Sequence, residues 1–387
     1  MIVRQFISWI RTASAGERAE ATRSLARAWL ISDLSEDDRA AAEGALLMLL
    51  DDSSPLVRQA MAEVFARSAE APAAIVQALS LDQPSVALPV LEYSPLLIDA
   101  DLVDIVATGN NDMQCAIARR VHLPPSVSAA IAEVGSPAAA LELIENAYAE
   151  LAPFSWDRIV ERHGHLAAIR ESMLVLEGLP AATRLALVAK LSDTLAQFVV
   201  ARNWLSADRA GRIASEARER STVNIAARSC GEDMRGLVRH LRATGQLTAG
   251  LILRALLCGN LELFDSALAE LSDLPQARVS ALLHDRGRAS LQALLIRAGL
   301  PESTFAAFRV ALEACHETGY VDTAGGAARL RRRMVERVLT HCATDPSAAE
   351  PLLILLRRFA TESAREEARL FCDELLAEEA IPPIGHD

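Results

Sequence analysis

Aromatic residues are scarce in this chain of 387 residues, where Phe, Trp and Tyr together make up 4%. Sheets favour aromatic and β-branched side chains, whereas closely packed helices favour the Ala and Leu that are abundant here. Hydrophobic residues account for 51% of the chain and charged residues for 23%, as in globular rather than disordered proteins. We therefore predict an all-α fold.

Long apolar runs and paired cysteines are also missing. No run approaches the roughly 18 residues of a membrane-spanning helix, and the N-terminal apolar run is too short for a secretory signal. The six cysteines form no C-x-x-C pair and mostly lie in helical apolar patterns. Small buried thiols fit this distribution better than a disulfide framework does. We expect a cytoplasmic protein that does not enter a membrane.

The charge is acidic and uneven. Formal net charge is −12, and the first 150 residues carry 10 Arg against 21 Asp and Glu. Lys190 is the single lysine, so every other one of the 39 basic residues is Arg. An acidic N-terminal half repels phosphate backbones, which argues against nucleic-acid binding there.

One kind of helix start recurs along the N-terminal half. In the stretch DDSSPLVRQAMAEVFA, residues 51–66, Ser54 is placed to cap a helix and Pro55 to occupy its first turn. Similar starts follow near Pro84, near Asp112 and at Pro137, in steps of 29, 28 and 25 residues. The apolar stripe of the first such helix comprises Val57, Ala60, Met61, Val64 and Phe65.

A helical hairpin of this length cannot cover its own apolar stripe, but stacking on a neighbouring hairpin does so. The pattern resembles the HEAT and armadillo-like families, in which an Asp and a Val-Arg pair open the second helix, as Asp52, Val57 and Arg58 do here. We predict an α-solenoid of degenerate HEAT-like helical hairpins. The alternative is an irregular helical bundle in which the proline spacing is accidental.

The repeat signal fades and the charge rises between residues 202 and 241. We place a domain boundary there: HEAT-like repeats over 1–200, a C-terminal helical-repeat domain over 201–375, and a flexible tail over 376–387.

Two segments of the C-terminal half carry a family resemblance. GNLELF, from Gly259 to Phe264, and RAGLP, from Arg297 to Pro301, resemble an uncharacterised alphaproteobacterial family labelled domain of unknown function 2336, DUF2336. The similarity is strongest from about Leu237 to Leu312. It implies an all-helical fold and carries no known activity, so it assigns no catalytic residue.

The only enzyme-like motif is the His284-Asp285 pair, which resembles the His-Asp signature of HD-type metal-dependent phosphohydrolases. Such a site needs further ligands, for which His240 and Asp322 are the candidates. We favour a structural role for the pair, because a histidine suits the end of a short helix and an aspartate suits the turn that follows. No phosphate-binding loop or nucleophile motif accompanies it.

One basic cluster lies in the segment AARLRRRMVERVL, residues 327–339. It is either a solvated, salt-bridged helix face or a docking patch for an acidic partner or nucleic acid. The cluster consists of Arg329, Arg331, Arg332, Arg333 and Arg337.

The main functional hypothesis is that the protein is a non-enzymatic adaptor that binds another protein and uses no cofactor or metal. One alternative is the phosphohydrolase. A nucleic-acid-binding protein is a less favoured alternative, because aromatic residues on which bases could stack are missing.

Overall fold

The computed structural model describes residues 9–10, 12–284, 288–318, 326–344 and 349–379. Over these ranges the chain forms 21 α-helices and one short 3-10 helix, with no strand beyond a single isolated bridge. The predicted all-α fold is confirmed. None of the described helices combines the length and apolar character needed to cross a membrane. The chain divides into two compact units, the N-terminal unit Met1–Leu179 and the C-terminal unit Pro180–Asp387.

The N-terminal unit is built from short helices, and all but the first two have 8 to 11 residues. Helices this short are marginal alone, so their stability comes from packing. They are α1 (Ala15–Ile31), α2 (Glu36–Leu49), α3 (Pro55–Phe65), α4 (Ala73–Ser80), α5 (Pro84–Tyr93), α6 (Asp99–Thr108), α7 (Asn111–Ala118), α8 (Pro125–Val134), α9 (Pro137–Glu145), α10 (Pro153–His163) and α11 (Ala167–Val175).

These helices pack in serial order. Helix α3 packs on α1, α5 on α3, α7 on α5, α9 on α7 and α11 on α9. A second row follows the same rule, with α8 on α6 and α10 on α8. The first row contains the helices whose starts the sequence predicts, and three of them begin at Pro55, Pro84 and Pro137. This order is consistent with helical repeats in the N-terminal unit.

The stripe predicted for α3 faces the interior. Val57, Ala60, Met61 and Phe65 are buried, and Val64 is half-buried. The start of α3 departs from the prediction. Ser54 occupies the N-cap position, but its side chain makes no cap hydrogen bond. The carboxylate of Asp52 instead accepts a hydrogen bond from the Ser54 backbone N–H, at 2.8 Å.

Side chains join successive modules of the N-terminal unit. An Arg or Asn of one module donates to a carboxylate or a backbone carbonyl 24 to 34 positions away, a separation close to the repeat steps. The carbonyls lie at helix ends, where backbone acceptors lack partners within the helix. The pairs are Arg18–Asp52, Arg58–Asp82, Arg120–Leu91, Arg120–Ser94, Asn146–Ala118, Arg162–Ala132 and Arg162–Gly135.

The C-terminal unit contains longer helices. They are α12 (Ala181–Ala201), α13 (Ala207–Ala226), α14 (Gly231–Ala243), α15 (Ala249–Leu257), α16 (Leu261–Ser272), α17 (Gln276–His284), α18 (Arg288–Arg297), α19 (Phe305–Thr318), α20 (Gly326–Thr344) and α21 (Glu350–Glu379), with the 3-10 helix Glu302–Thr304 before α19.

Helix α15 lies at the centre of this unit. All seven residues from Leu251 to Leu257 are buried, and a helix that is apolar on every side belongs in a core. It packs against α13, α16, α19 and α20, and its residues belong to both apolar clusters of the unit. Packing around one central helix differs from the serial order of the N-terminal unit.

The division of the chain differs from the one expected from the sequence. The compact units separate after Leu179, whereas the sequence places the boundary at 200/201, the end of α12. Helix α12 packs on α13 and α14, which explains why it belongs with the later helices. Helix α21 continues to Glu379, so residues 376–379 of the predicted tail are helical. Residues 380–387 lie outside the described residues.

Replacement of Arg120 by Met is expected to destabilise the N-terminal unit. Arg120 is buried, and its guanidinium donates to the carbonyls of Leu91 and Ser94 at 2.6 and 2.7 Å. The methionine would fill the space but leave both buried acceptors unpaired. We expect the free energy of unfolding, measured by urea denaturation, to fall by about 2–3 kcal/mol.

Arg119→Met is the matched control, since the neighbouring Arg119 is exposed and pairs with Glu142 at the surface. This change should cost less than about 1 kcal/mol. Equal losses for the two variants would show that the bonds of Arg120 do not stabilise the unit.

The carboxylates that join modules should make stability fall in acid. Arg18 holds the pKa of Asp52 below its ordinary value of 3.8, and Arg58 does the same for Asp82. A carboxyl group with a depressed folded pKa stabilises fully above the unfolded value and loses this contribution as pH falls through the folded one. We expect Asp52→Asn with Asp82→Asn to be less stable than the native chain at pH 7, with the difference shrinking below about pH 4.

Urea denaturation at several pH values checks this. The control is Asp33→Asn with Asp51→Asn, since both aspartates are exposed and neither forms an ion pair with a described residue. If the native chain exceeds Asp52→Asn with Asp82→Asn by the same free energy of unfolding from pH 7 to pH 2.5, the ionisation of these carboxylates does not contribute to stability as expected.

Candidate anion-binding cleft

A cleft of about 450 Å³ opens in the C-terminal unit between α13, α15, α20 and α21. The apolar part of its lining consists of Val223, Leu257, Val335 and Phe359. The remainder is largely charged, with five arginines and two glutamates, so the lining has a formal surplus of three positive charges. This contrasts with the net charge of −12 for the whole chain. The charged lining residues are Arg220, Arg254, Arg331, Glu362, Arg365, Glu366 and Arg369.

Arg254 is the buried charge of the cleft, and it is the one charged residue among the seven buried positions of α15. It is 5% exposed. Its Nη1 donates to Glu362 Oε2 at 2.6 Å, and its Nη2 lies 3.4 Å from Glu219 Oε2. The guanidinium also lies 4.1 Å from the centre of the Phe359 ring, a cation–π distance. Because a buried cation requires partners, Arg254 ties α15 to both α13 and α21.

Arg331 makes the second ion pair of the cleft, from α20 to Glu366 of α21. Both cleft glutamates are thus occupied by arginines of other helices. The Nε–H groups of Arg254 and Arg331 are buried and have no hydrogen-bond partner in the described part of the chain. These two donors are the unsatisfied polar groups of the cleft.

The three remaining arginines lie at the exposed rim. Arg220 comes from α13, and Arg365 and Arg369 lie one turn apart on α21. None of the three forms an ion pair with a described residue. Like charges one helical turn apart repel each other, so an anion bound between them would relieve a cost already present in the free protein.

Cys258 follows α15 and also lines the cleft. Burial raises the pKa of its thiol above the ordinary value. A raised pKa disfavours the thiolate, which is the form of cysteine that acts as a nucleophile or metal ligand.

The structure places most of the predicted basic cluster in surface ion pairs on α20. Arg332 pairs with Glu336 and Glu367, both at 2.8 Å, and Arg337 pairs with Glu317. Arg333 is exposed and forms no ion pair with a described residue. Of the five arginines, Arg331 alone lines the cleft, and the side chain of Arg329 lies outside the described residues.

The predicted His-Asp site falls largely outside what the structure describes. His240 lies in the last turn of α14. His284 ends α17, but its side chain, Asp285 and Asp322 are all outside the described residues. Among the residues described, no group of three or more His, Cys, Asp and Glu side chains is placed to hold a metal ion.

The sequence contains a signal for the cleft that does not lie in any basic run. Arg254 interrupts the apolar run LILRALL, where every neighbour is Leu, Ile or Ala. A lone charge inside an otherwise apolar helix has to find a buried partner, and that requirement marks a special position. The rim arginines carry no comparable signal, because Arg365 and Arg369 resemble any exposed arginines of an amphipathic helix.

These features define an all-helical protein with a basic cleft in its C-terminal unit. A family model matches residues 86–347, that of DUF2336, described as an uncharacterised protein conserved in bacteria. The chain belongs to this family, as the resemblance of its C-terminal half predicts. No curated protein and no solved structure matches the chain. The family assignment brings no activity with it.

Removal of the Glu362 carboxylate should destabilise the C-terminal unit. In Glu362→Gln, Arg254 would keep its buried charge but lose its closest carboxylate. We expect the free energy of unfolding to fall by about 1–3 kcal/mol, because the glutamine oxygen can still accept a hydrogen bond but no longer balances the buried charge. Urea denaturation followed by circular dichroism measures it.

Glu366→Gln provides the comparison, because its pair with Arg331 is half-exposed. An exposed pair is worth less than about 1 kcal/mol. If Glu362→Gln and Glu366→Gln lower the free energy of unfolding equally, the burial of Arg254 does not strengthen its ion pair with Glu362.

Proposed function

We propose that this protein is a non-enzymatic adaptor that binds an acidic segment of another protein in the cleft of its C-terminal unit. The observation that carries the proposal is the set of three rim arginines without ion pairs in a chain whose overall charge is strongly negative. In the N-terminal unit, the serially packed helices offer a further surface of the kind that helical repeats use for protein binding.

The charges of the cleft favour an anionic partner segment over a neutral one. Arginine is enriched at sites that recognise acidic motifs, because its fork of donors matches carboxylate and phosphoryl oxygens. The ion pairs of Arg254 and Arg331 hold the inner wall in place, so a ligand does not have to order it. Opposite charge on the partner would also speed association in low salt.

We further propose that binding takes place in the cytoplasm. All six cysteines are free thiols, two of them exposed. This arrangement suits a reducing compartment.

Charge reversal at the rim tests the adaptor proposal. Native protein, the cleft variant Arg220→Glu/Arg365→Glu/Arg369→Glu and a matched control would be used to capture partners from the source cells, followed by quantitative mass spectrometry. The control Arg209→Glu/Arg212→Glu/Arg228→Glu makes the same change in net charge at exposed arginines outside both the cleft and the basic cluster of α20. A partner with an acidic segment should be retained by the native protein and the control and lost by the cleft variant.

The purified partner should then bind the cleft variant at least about tenfold more weakly than the control, with affinity falling as salt increases. Identical partner sets for all three proteins would contradict the cleft as the binding surface. Stoichiometric divalent metal that is lost in His284→Ala would favour the phosphohydrolase alternative instead. Tight, salt-sensitive DNA or RNA binding would favour a nucleic-acid role.

A further inference from the structure

The charge left over in the cleft exceeds what a single carboxylate can neutralise. The glutamates of the lining are already paired with Arg254 and Arg331, and Glu219 gives Arg254 a second carboxylate. With Glu219 counted, the five arginines leave a formal surplus of two positive charges, which lies on the rim arginines Arg220, Arg365 and Arg369. An Asp or Glu side chain brings one negative charge and two acceptor oxygens. It would leave one of the two surplus positive charges in place.

A phosphoryl monoester matches the rim better. It carries between about −1.5 and −2 charges at neutral pH and has three strong acceptor oxygens. Each arginine presents parallel N–H donors, so several arginines can bind one phosphoryl group through separate oxygens. Rim arginines drawn from both α13 and α21 allow such a group to be bound from two sides.

The size and walls of the cleft suit a side chain that carries the phosphoryl group, rather than a free phosphate ion. Its volume of about 450 Å³ exceeds that of the group alone. Val223, Leu257 and Val335 supply apolar surface against which an attached side chain would pack. Asn224 and Ser363 add neutral polar groups to the same lining.

A nucleic-acid phosphate fits less well. A phosphodiester group carries a single negative charge, so it would neutralise no more of the positive charge at the rim than a carboxylate does. Single-strand binding also relies on aromatic rings on which bases stack. The one aromatic residue of the lining is Phe359, and the guanidinium of Arg254 already occupies its ring face.

We infer that the cleft bounded by Arg220, Arg365 and Arg369 is a binding site for a phosphorylated side chain in the partner's acidic segment. The inference rests on the proposed adaptor function and narrows its ligand to a phosphoryl monoester. The rim arginines bind the phosphoryl oxygens. Arg254 and Arg331 position the inner wall through their glutamates.

Three fluorescein-labelled acidic decapeptides test this by fluorescence anisotropy at low salt. One carries a phosphoserine at its centre, the second has serine there, and the third has two adjacent glutamates that match the charge of the phosphoserine. The phosphopeptide should bind at least about tenfold more tightly than the glutamate peptide. Arg365→Gln with Arg369→Gln should abolish this advantage, whereas the control Arg209→Gln with Arg212→Gln should keep it.

The outcomes separate the two proposals. Equal binding of the phosphopeptide and the glutamate peptide, lost for both in the Arg365 and Arg369 variant, would overturn the phosphoryl site and leave the acidic-segment adaptor standing. Failure of the native protein to bind any of the peptides would overturn the phosphoryl site, and the capture experiment would then decide the adaptor proposal separately. Tighter binding of a labelled single-stranded oligonucleotide than of the phosphopeptide would overturn it in favour of nucleic acid.

Discussion

The ion pairs of Arg254 are the constraint on which the C-terminal unit depends. The residues of helix α15 from Leu251 to Leu257 are all buried, and the Arg254 side chain among them is only 5% exposed, so its charge has little contact with water. Carboxylates from two other helices, Glu362 of α21 and Glu219 of α13, stabilise the buried guanidinium of Arg254. Breaking such a pair leaves an uncompensated buried charge, which costs far more than the intact pair contributes. The positions of α13 and α21 relative to α15 are therefore tightly specified.

The same ion pairs determine the chemical character of the cleft. They fix two acidic side chains of the lining to inner arginines and leave the outer arginines unneutralised. A basic rim thus arises in a chain with a net charge of −12, without any long basic run in the sequence at that place. The most conspicuous basic run, on α20, is largely neutralised by glutamates of its own and neighbouring helices.

The N-terminal unit buries its apolar side chains through a different arrangement of helices. Seven of its helices pack against the helix two positions earlier, and the helix ends are joined by side chains of the next module. Arg120 and Arg162 perform this task by donating to pairs of carbonyls at the ends of preceding helices. Such bonds satisfy acceptors that would otherwise lack partners and fix the spacing between modules.

The helical class, the family and the starts of α3, α5 and α9 could be predicted before the structure was known, because these depend on composition and on signals within a few residues. Proline at a first turn and a stripe at helical spacing act locally, so they are visible in the chain before it folds. The tertiary structure alone decided which arginines remain without ion pairs. Arg332 and Arg365 look alike in sequence, yet one meets two glutamates and the other faces a cleft, because pairing depends on which distant helices are brought together.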